Sequence, residues 1–292
     1  MEKVFDSKLL TSILSKSSLK EYSNIRIGDN VTYLFIPQSI SDLSSIIVGA
    51  NKANLEILPV GGASNILFGN VGDRVLILDR DLPMYYNIKE NEVIVTSNHN
   101  ISIFIDEMKK HRLGGLEFLA GIPAHIGGAV YMNAGAFGKN ISDYIKWVEI
   151  VNVNGKREIL THDEISFSYR KTSIKGFIIY VSFELNQKPK NKISTEIKDI
   201  ISKRHSRHPY DYPSLGSTFK NPENNFAGKL IEECGLKGTR IGDAEISRKH
   251  GNFIINKGNA TFDDVMSLIE LIKNEVYKKK GINLELEIKV IN

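Results

Sequence analysis

Apolar residues recur along the chain with two different spacings. Ser41 to Ala53 and Ile101 to His111 carry them three and four apart, the pattern of helices with one buried face. A third such stripe, Val265, Leu268, Ile269, Ile272 and Val276, predicts a helix that stops at Gly281, and Thr261 with Asp264 has the spacing of a capping box at its start. Phe226 to Glu233 predicts a shorter helix closing at Gly235. The short apolar runs Leu55 to Val60, Val75 to Asp79, Glu92 to Ser97 and Phe177 to Leu185 read as strands. Trp147 to Val153 and Arg157 to Leu160 flank Asn154-Gly155, a pair suited to the type I′ turn of a hairpin. Leu284 to Val290 alternates strictly. A strand there puts Leu284, Leu286, Ile288 and Val290 on one face, with Glu285, Glu287 and Lys289 on the other.

Gln187 to Lys192 is a polar break containing Pro189, and an amphipathic segment from Ile193 to about Arg207 follows it. The expected organisation is a helical lead-in over 1–20, a first domain over 21–190 and a second over 191–292. A chain of 292 residues has room for two or three packed units, and 41% hydrophobic with 25% charged residues is ordinary for a globular protein. The net charge of +4 mildly favours anionic ligands, but Lys and Arg are dispersed and form no basic stripe, so no nucleic-acid partner is expected. No apolar leader with a cleavage site opens the chain, and nowhere do about 18 uncharged apolar residues run together. The expectation is a cytoplasmic protein with no membrane partner. Cys234 has no second cysteine to pair with and reads as a buried, idle thiol. The histidines show neither paired spacing nor a Cys/His cluster, so no metal is expected.

Two glycine-rich stretches carry the chemistry. Gly61-Gly62-Ala63-Ser64-Asn65 follows an expected strand, where a chain hands over to a ligand-binding loop. Gly114 to Gly138 sets glycines densely among apolar residues, which argues for irregular, ligand-shaped backbone instead of a further regular element. Glycine removes the Cβ that holds a ligand away, so both stretches can offer peptide N–H groups to a phosphate or a planar ring, and a large anionic cofactor follows. Neither is a dinucleotide G-x-G-x-x-G nor a phosphate loop ending in Gly-Lys-Ser/Thr.

The landmarks run in a fixed order. They are Gly61 to Leu67; Gly115 to Phe118 leading into Gly121-Ile122-Pro123; Gly127-Gly128-Ala129; Met132-Asn133-Ala134-Gly135-Ala136; and Ser168-Tyr169-Arg170. Gly216 to Pro222, Ala227 to Ile231, Gly235 to Gly238, His250 to Asn256 and Leu284 to Ile288 complete the series. In this combination the chain resembles the UDP-N-acetylenolpyruvoylglucosamine reductases, flavoenzymes of peptidoglycan precursor synthesis, over nearly its whole length. Its length suggests the shorter form, without an extra substrate-covering loop.

The resemblance implies an α+β fold, with a two-part FAD-binding domain of the vanillyl-alcohol-oxidase/PCMH type followed by a smaller α+β substrate-binding domain. It implies FAD and NADPH as cofactors, a sugar-nucleotide substrate and a monomeric cytoplasmic enzyme serving cell-wall biogenesis, cell shape and cell division. The expected FAD-binding residues are Gly61, Gly62, Ala63, Ser64, Asn65, Gly121, Ile122, Pro123, Gly127, Gly128, Ala129, Asn133 and Gly135. Lys220 and Asn221 are expected to meet the substrate, with Lys229, Arg240 and His250 as softer candidates for its walls.

Adding hydride to an enol ether builds negative charge on the neighbouring carbon. The reaction therefore needs a cation or donor to stabilise an enolate and an acid to deliver a proton. Matched to the family's pattern, Arg170 is the cation, Ser217 the proton donor and Glu287 an assisting carboxyl group. Alone, each has a plainer reading: a surface salt-bridge partner, a turn serine and an edge-strand glutamate. Glu285 stands about two residue rises, ~7 Å, from Glu287, and a register error would exchange them. The chain departs from the family's pattern at Arg26 to Asn30, Ser97 to Asn100, His125 and His208. His99 and His125 raise the question of a covalent flavin tether, though loop histidines without that role are the plainer reading. An oxidase or dehydrogenase of the same fold with another acceptor, or a non-catalytic flavin-binding module, are the alternatives.

Overall fold

The computed structural model describes residues 17–292, so most of the expected lead-in over 1–20 lies outside the described residues. The chain divides into two compact units. One holds Thr32–Gly62 and Asp73–Ser202; the other holds Ser17–Val31, Ala63–Gly72 and Lys203–Asn292.

The first unit contains two sheets. The parallel sheet has Val75–Leu78 between Tyr33–Phe35 and Ile57–Val60. The antiparallel sheet runs in the order Arg157–Thr161, Ile145–Val151, Phe177–Glu184, Glu92–Thr96, Tyr86–Lys89. Helix Ile40–Lys52 begins where the Ser39 hydroxyl accepts the Asp42 N–H at 3.0 Å. It buries Leu43, Ile46, Ile47 and Ala50 in a core with Phe35, Val75, Ile77, Val151, Phe177 and Ile179. Helix Ile101–Lys110 buries Ile101, Phe104, Ile105 and Met108 in a second core with Val148, Ile150, Ile178, Val181 and Phe183.

Residues of strand Phe177–Glu184 reach both cores by alternation, and a slip in its pairing changes which side the later ones take. Glu149 faces Tyr180 while Ile150 faces Ile178, which leaves Ile179 as the extra residue of a bulge. Beyond it the sides exchange, so Val181 and Phe183 join the core of Ile178. The Ile179 carbonyl then accepts the Ser97 N–H at 2.9 Å, and this sets the turn on which the glycine-rich segment rests.

In the second unit, helix Phe262–Lys280 carries the expected capping box: Thr261 accepts the Asp264 N–H at 3.1 Å and Asp264 accepts the Thr261 N–H at 2.9 Å. Gly281 ends the helix at φ 68°, donating to the Tyr277 carbonyl at 2.8 Å, a conformation glycine adopts without a steric penalty. All five predicted stripe residues are buried, each worth roughly 1.5–3 kcal/mol relative to exposure. They pack with Leu230 and Ile231 of helix Ala227–Glu233 and with the antiparallel sheet Arg240–Ile241, Ala244–Ile246, Ile254–Asn256. Cys234 is buried at that helix's end.

Three expectations change. The hairpin at Asn154-Gly155 is present, but only Gly155 is left-handed (φ 74°), and its N–H returns to Asn152 at 2.9 Å. This is a three-residue loop with a glycine bulge, not a type I′ turn. The glycine-rich segment is not wholly irregular: Ile126–Tyr131 is helical, and Gly127 is needed because a Cβ there would lie 2.8 Å from that of Ser97. The closing strand is only Lys289–Ile291, paired in parallel with Ile66–Phe68. The regular pairing is interrupted where Glu287 and Ile288 both direct their N–H groups to the Thr218 carbonyl, at 2.9 and 3.4 Å, yet Leu284, Leu286, Ile288 and Val290 all reach the core of the second unit, the face expected of them.

Candidate active site

In the first unit the two glycine-rich stretches converge. Strand Ile57–Val60 delivers Gly61 and Gly62, while Ile126 and Gly127 donate to the His99 and Ser97 carbonyls at 2.9 and 2.8 Å. A Cβ on Gly61 would come within 3.8 Å of the Gly128 nitrogen, and one on Gly62 within 3.3 Å of the His125 ring. Gly121 (φ 80°), Ile122 and Pro123 lead into this helix, whose Ala129 is buried. Around a Cβ added at Gly128 there is open space. Asp79 is buried beside these turns, with its Oδ1 2.8 Å from Nδ1 of His125. Two buried polar atoms nearby in sequence, Ser97 Oγ and Asn98 Oδ1, have no hydrogen-bond partner among the described residues.

His99 has a different environment. The Tyr85 N–H donates to the Thr96 hydroxyl at 3.1 Å, and that hydroxyl stands 2.9 Å from His99 Nδ1. Burial holds the His99 pKa below its ordinary value.

Arg170 occupies the two-residue turn between Phe167–Ser168 and Lys171–Thr172 at φ 58°. It is half-buried, donates to the Gly135 carbonyl at 3.1 Å and lies 4.9 Å from the centroid of the exposed Tyr169 ring. Asn133 steadies the same turn from the glycine-rich side. Its amide donates to the Ser168 carbonyl at 3.1 Å and its oxygen accepts the Ser142 N–H at 3.3 Å. Asn133 and Gly135, expected at the cofactor, therefore bear directly on Arg170.

The second unit brings together Ser217, Lys220 and Glu287. Ser217 is half-buried, and its hydroxyl makes no hydrogen bond among the described residues. The next residue, Thr218, donates to the Asn252 carbonyl at 2.8 Å and accepts from Glu287. Asn252 also holds Phe219 at both ends, accepting its N–H at 2.9 Å and donating to its carbonyl at 2.8 Å. Lys220 donates from its backbone to the Glu285 carbonyl at 2.8 Å, and its ammonium pairs with the Glu285 carboxylate at 3.1 Å. Glu285 is thus engaged and exposed, whereas Glu287 is half-buried. The side chain of Asn65 donates to the Glu287 carbonyl at 3.1 Å, and the Lys289 N–H returns to the Asn65 carbonyl at 2.9 Å, so Ala63-Ser64-Asn65 belongs with this strand. Asn221 accepts the Ala227 N–H at 3.1 Å ahead of helix Ala227–Glu233.

The softer candidates are engaged elsewhere. Lys229 pairs with Glu233, and Arg240 with Asp243. His250 accepts the Asn252 N–H on Nδ1 at 3.2 Å and packs against His208 and Phe253, with ring centroids 5.6 and 4.9 Å away. Burial and the neighbouring His250 push His208 down to about 4. Sequence reasoning noted His208 only as a departure and missed this ring cluster. It missed Asp79, which sits in no pattern that marks it, and gave no role to Asn252, although the landmark His250 to Asn256 contains it.

Among the described residues no group of three His, Cys, Asp or Glu side chains could hold a metal ion, and no helix is long and apolar enough to cross a membrane.

Residues 208–291 match the family model for the UDP-N-acetylenolpyruvoylglucosamine reductase C-terminal domain, and residues 31–161 match that of an FAD binding domain. The UDP-N-acetylenolpyruvoylglucosamine reductase of Fusobacterium nucleatum is 39% identical over 283 residues, covering 96% of this chain and 99% of the relative. The one of Lactiplantibacillus plantarum is 35% identical over 282 residues, covering 96% and 93%. Among solved structures, the UDP-N-acetylenolpyruvylglucosamine reductase of Thermus caldophilus superposes with a TM-score of 0.81 at 30% identity, covering 94% of this chain and 98% of that one.

Proposed function

The chain belongs to the UDP-N-acetylenolpyruvoylglucosamine reductase family, and from that membership we propose that it reduces UDP-N-acetylglucosamine enolpyruvate to UDP-N-acetylmuramate, with FAD as its resident cofactor and NADPH as the electron donor. The step would serve peptidoglycan precursor synthesis in the cytoplasm, and through it cell shape and division. FAD suits the residues present: closely spaced glycines leave open space at Gly128, and the Ser97 and Asn98 oxygens are buried without partners. Gly61, Gly62, Gly121, Ile122, Pro123, Gly127, Gly128 and Ala129 of the first unit would hold it, with Asn133 and Gly135 supporting the Arg170 turn. Ala63, Ser64 and Asn65, which fall in the second unit, keep the cofactor role that the family's pattern implies. When bound, FAD supplies the two-electron chemistry, taking electrons from NADPH and passing them to the enol ether.

The remaining work falls to side chains. As electrons and a proton reach the terminal carbon of the double bond, negative charge grows on its neighbour and on the attached carboxylate. Arg170, always charged and able to form parallel hydrogen bonds, stabilises that charge. Glu287 adds a hydrogen bond to the same enolate when it carries a proton. Ser217 gives its hydroxyl proton to the adjacent carbon, completing the lactyl ether, and is reprotonated from solvent. Lys220 and Asn221 meet the sugar nucleotide.

The observation that most supports this reading is the backbone ladder that joins the Ser217 turn to Glu287, with the serine hydroxyl left without a protein partner among the described residues. The test is an anaerobic pair of half-reactions. Ser217→Ala should leave bleaching of the flavin by NADPH within about twofold of wild type and slow its reoxidation by the enolpyruvyl sugar nucleotide by about 10²-fold or more, the scale of a lost general acid. Equal loss in both halves would make Ser217 structural and defeat the assignment.

A further inference from the structure

Asp79 and His125 take no part in the scheme above, yet they stand where the glycine turns of the first unit meet. The Asp79 side chain is 4% exposed, and its Oδ1 lies 2.8 Å from Nδ1 of His125. A Cβ added to Gly61 would be 3.6 Å from the other oxygen of Asp79, and one added to Gly62 would be 3.3 Å from Cδ2 of His125. A carboxylate so placed repels an anionic ligand arriving at the same turns, the more so because burial weakens solvent screening. His125 is the group that answers it. Donating Nδ1–H to Asp79 leaves Nε2 as the remaining polar atom of the ring, next to the Cδ2 edge that faces Gly62. Among the described residues Nε2 makes no hydrogen bond. Its side chain is 22% exposed, so that edge is accessible to a ligand.

We propose that His125, oriented by Asp79, is a cofactor-binding residue of this chain: its Nε2–H donates to a phosphate oxygen of FAD, and its imidazolium charge cancels that of Asp79. This inference rests on the placing of FAD at the Gly61-Gly62 and Gly127-Gly128 turns. It gives the pair a role beyond pinning two loops together, because a pin would be indifferent to whether the ligand carries phosphates.

The test compares FAD with riboflavin, which shares the ring but has no phosphate. Dissociation constants are read from the flavin fluorescence recovered on dilution, for wild type, His125→Ser, and the double variant Asp79→Asn with His125→Ser. The exposed carboxylate should make His125→Ser lose about tenfold or more in FAD affinity while riboflavin changes less than about threefold, and the double variant should recover most of the loss. If His125→Ser does not fold, His125→Asn is the second probe, since it can still donate to Asp79 but carries no charge; the same FAD-selective loss is expected. Equal weakening of both flavins, or a double variant no better than the single, overturns the proposal. A wild-type protein that binds neither flavin overturns the FAD assignment itself, whereas wild-type binding with unchanged variants overturns only the role of His125.

Discussion

Asn252 is the side chain on which the turn carrying Ser217 rests, and replacing it with alanine tests that arrangement. Phe219 is fully buried, and both its N–H and its carbonyl are satisfied by the Asn252 amide, at 2.9 and 2.8 Å. Alanine leaves the two backbone groups buried without partners. At about 1–3 kcal/mol for each stranded group, Asn252→Ala should destabilise the protein by roughly 2–6 kcal/mol. The Thr218 N–H keeps its bond to the residue 252 carbonyl, so the fold should survive while the Ser217 turn loosens. Urea unfolding of the FAD-loaded protein should then show a lower midpoint at unchanged slope, with reoxidation by the sugar nucleotide slowed and reduction by NADPH preserved. A loss below about 1 kcal/mol would mean that Phe219 finds other partners, and the reasoning would fail. An equal slowing of both half-reactions would refute the link from Asn252 to Ser217.

The ring cluster predicts a pH dependence of stability. His208 titrates near 4 when folded, against an ordinary 6.5, so below 6.5 the unfolded chain binds the proton more readily; the stabilisation is intact above pH 6.5 and is lost as pH falls toward 4. Allowing for solvent screening of a ring that is only partly buried, the loss should be about 1–2 kcal/mol, seen as a falling melting temperature that His208→Gln flattens; an equally steep fall in that variant would exonerate His208. The two neighbouring glutamates should separate cleanly. Glu285→Gln breaks an exposed ion pair with Lys220 and should change stability by less than about 1 kcal/mol with little effect on turnover, while Glu287→Ala, which leaves no donor for the enolate, should slow reoxidation by about 10²-fold at unchanged flavin reduction. Reversal of that pair would move the role to Glu285.

What could be read from the sequence was whatever is local. Helices Ile40–Lys52, Ile101–Lys110 and Phe262–Lys280 were legible because their apolar spacing, caps and terminators all lie within each segment. The closing segment shows its apolar face, since Leu284, Leu286, Ile288 and Val290 share one core, but not the short extent of its strand, because pairing is interrupted from outside by a Thr218 carbonyl that receives two successive N–H groups. The short helix in the glycine-rich segment escaped notice because glycine signals both a break and a close approach; at Gly127 the cause is Ser97, thirty positions away. The site divides in the same way. The motifs around Arg170, Ser217 and Glu287, the residues of the proposed site, stand out by order and resemblance. Asp79 could not, since an aspartate ending a strand carries no mark until its partner, His125, is known.

Arg170 sits in the left-handed region, as do Asn133 and Phe137, and the hydrogen bonds from Arg170 to Gly135 and from Asn133 to Ser168 tie this part of the chain together. That conformation costs a side chain with a Cβ roughly 1–2 kcal/mol, and the substitution Arg170→Gly would relieve it. Against that relief stand the lost bond to the Gly135 carbonyl and the greater freedom of glycine in the unfolded chain, so the two effects on stability oppose each other. A campaign of directed evolution scored only on heat resistance would therefore find this position close to neutral and let the guanidinium go, so any such library needs a selection for turnover running beside the thermal one.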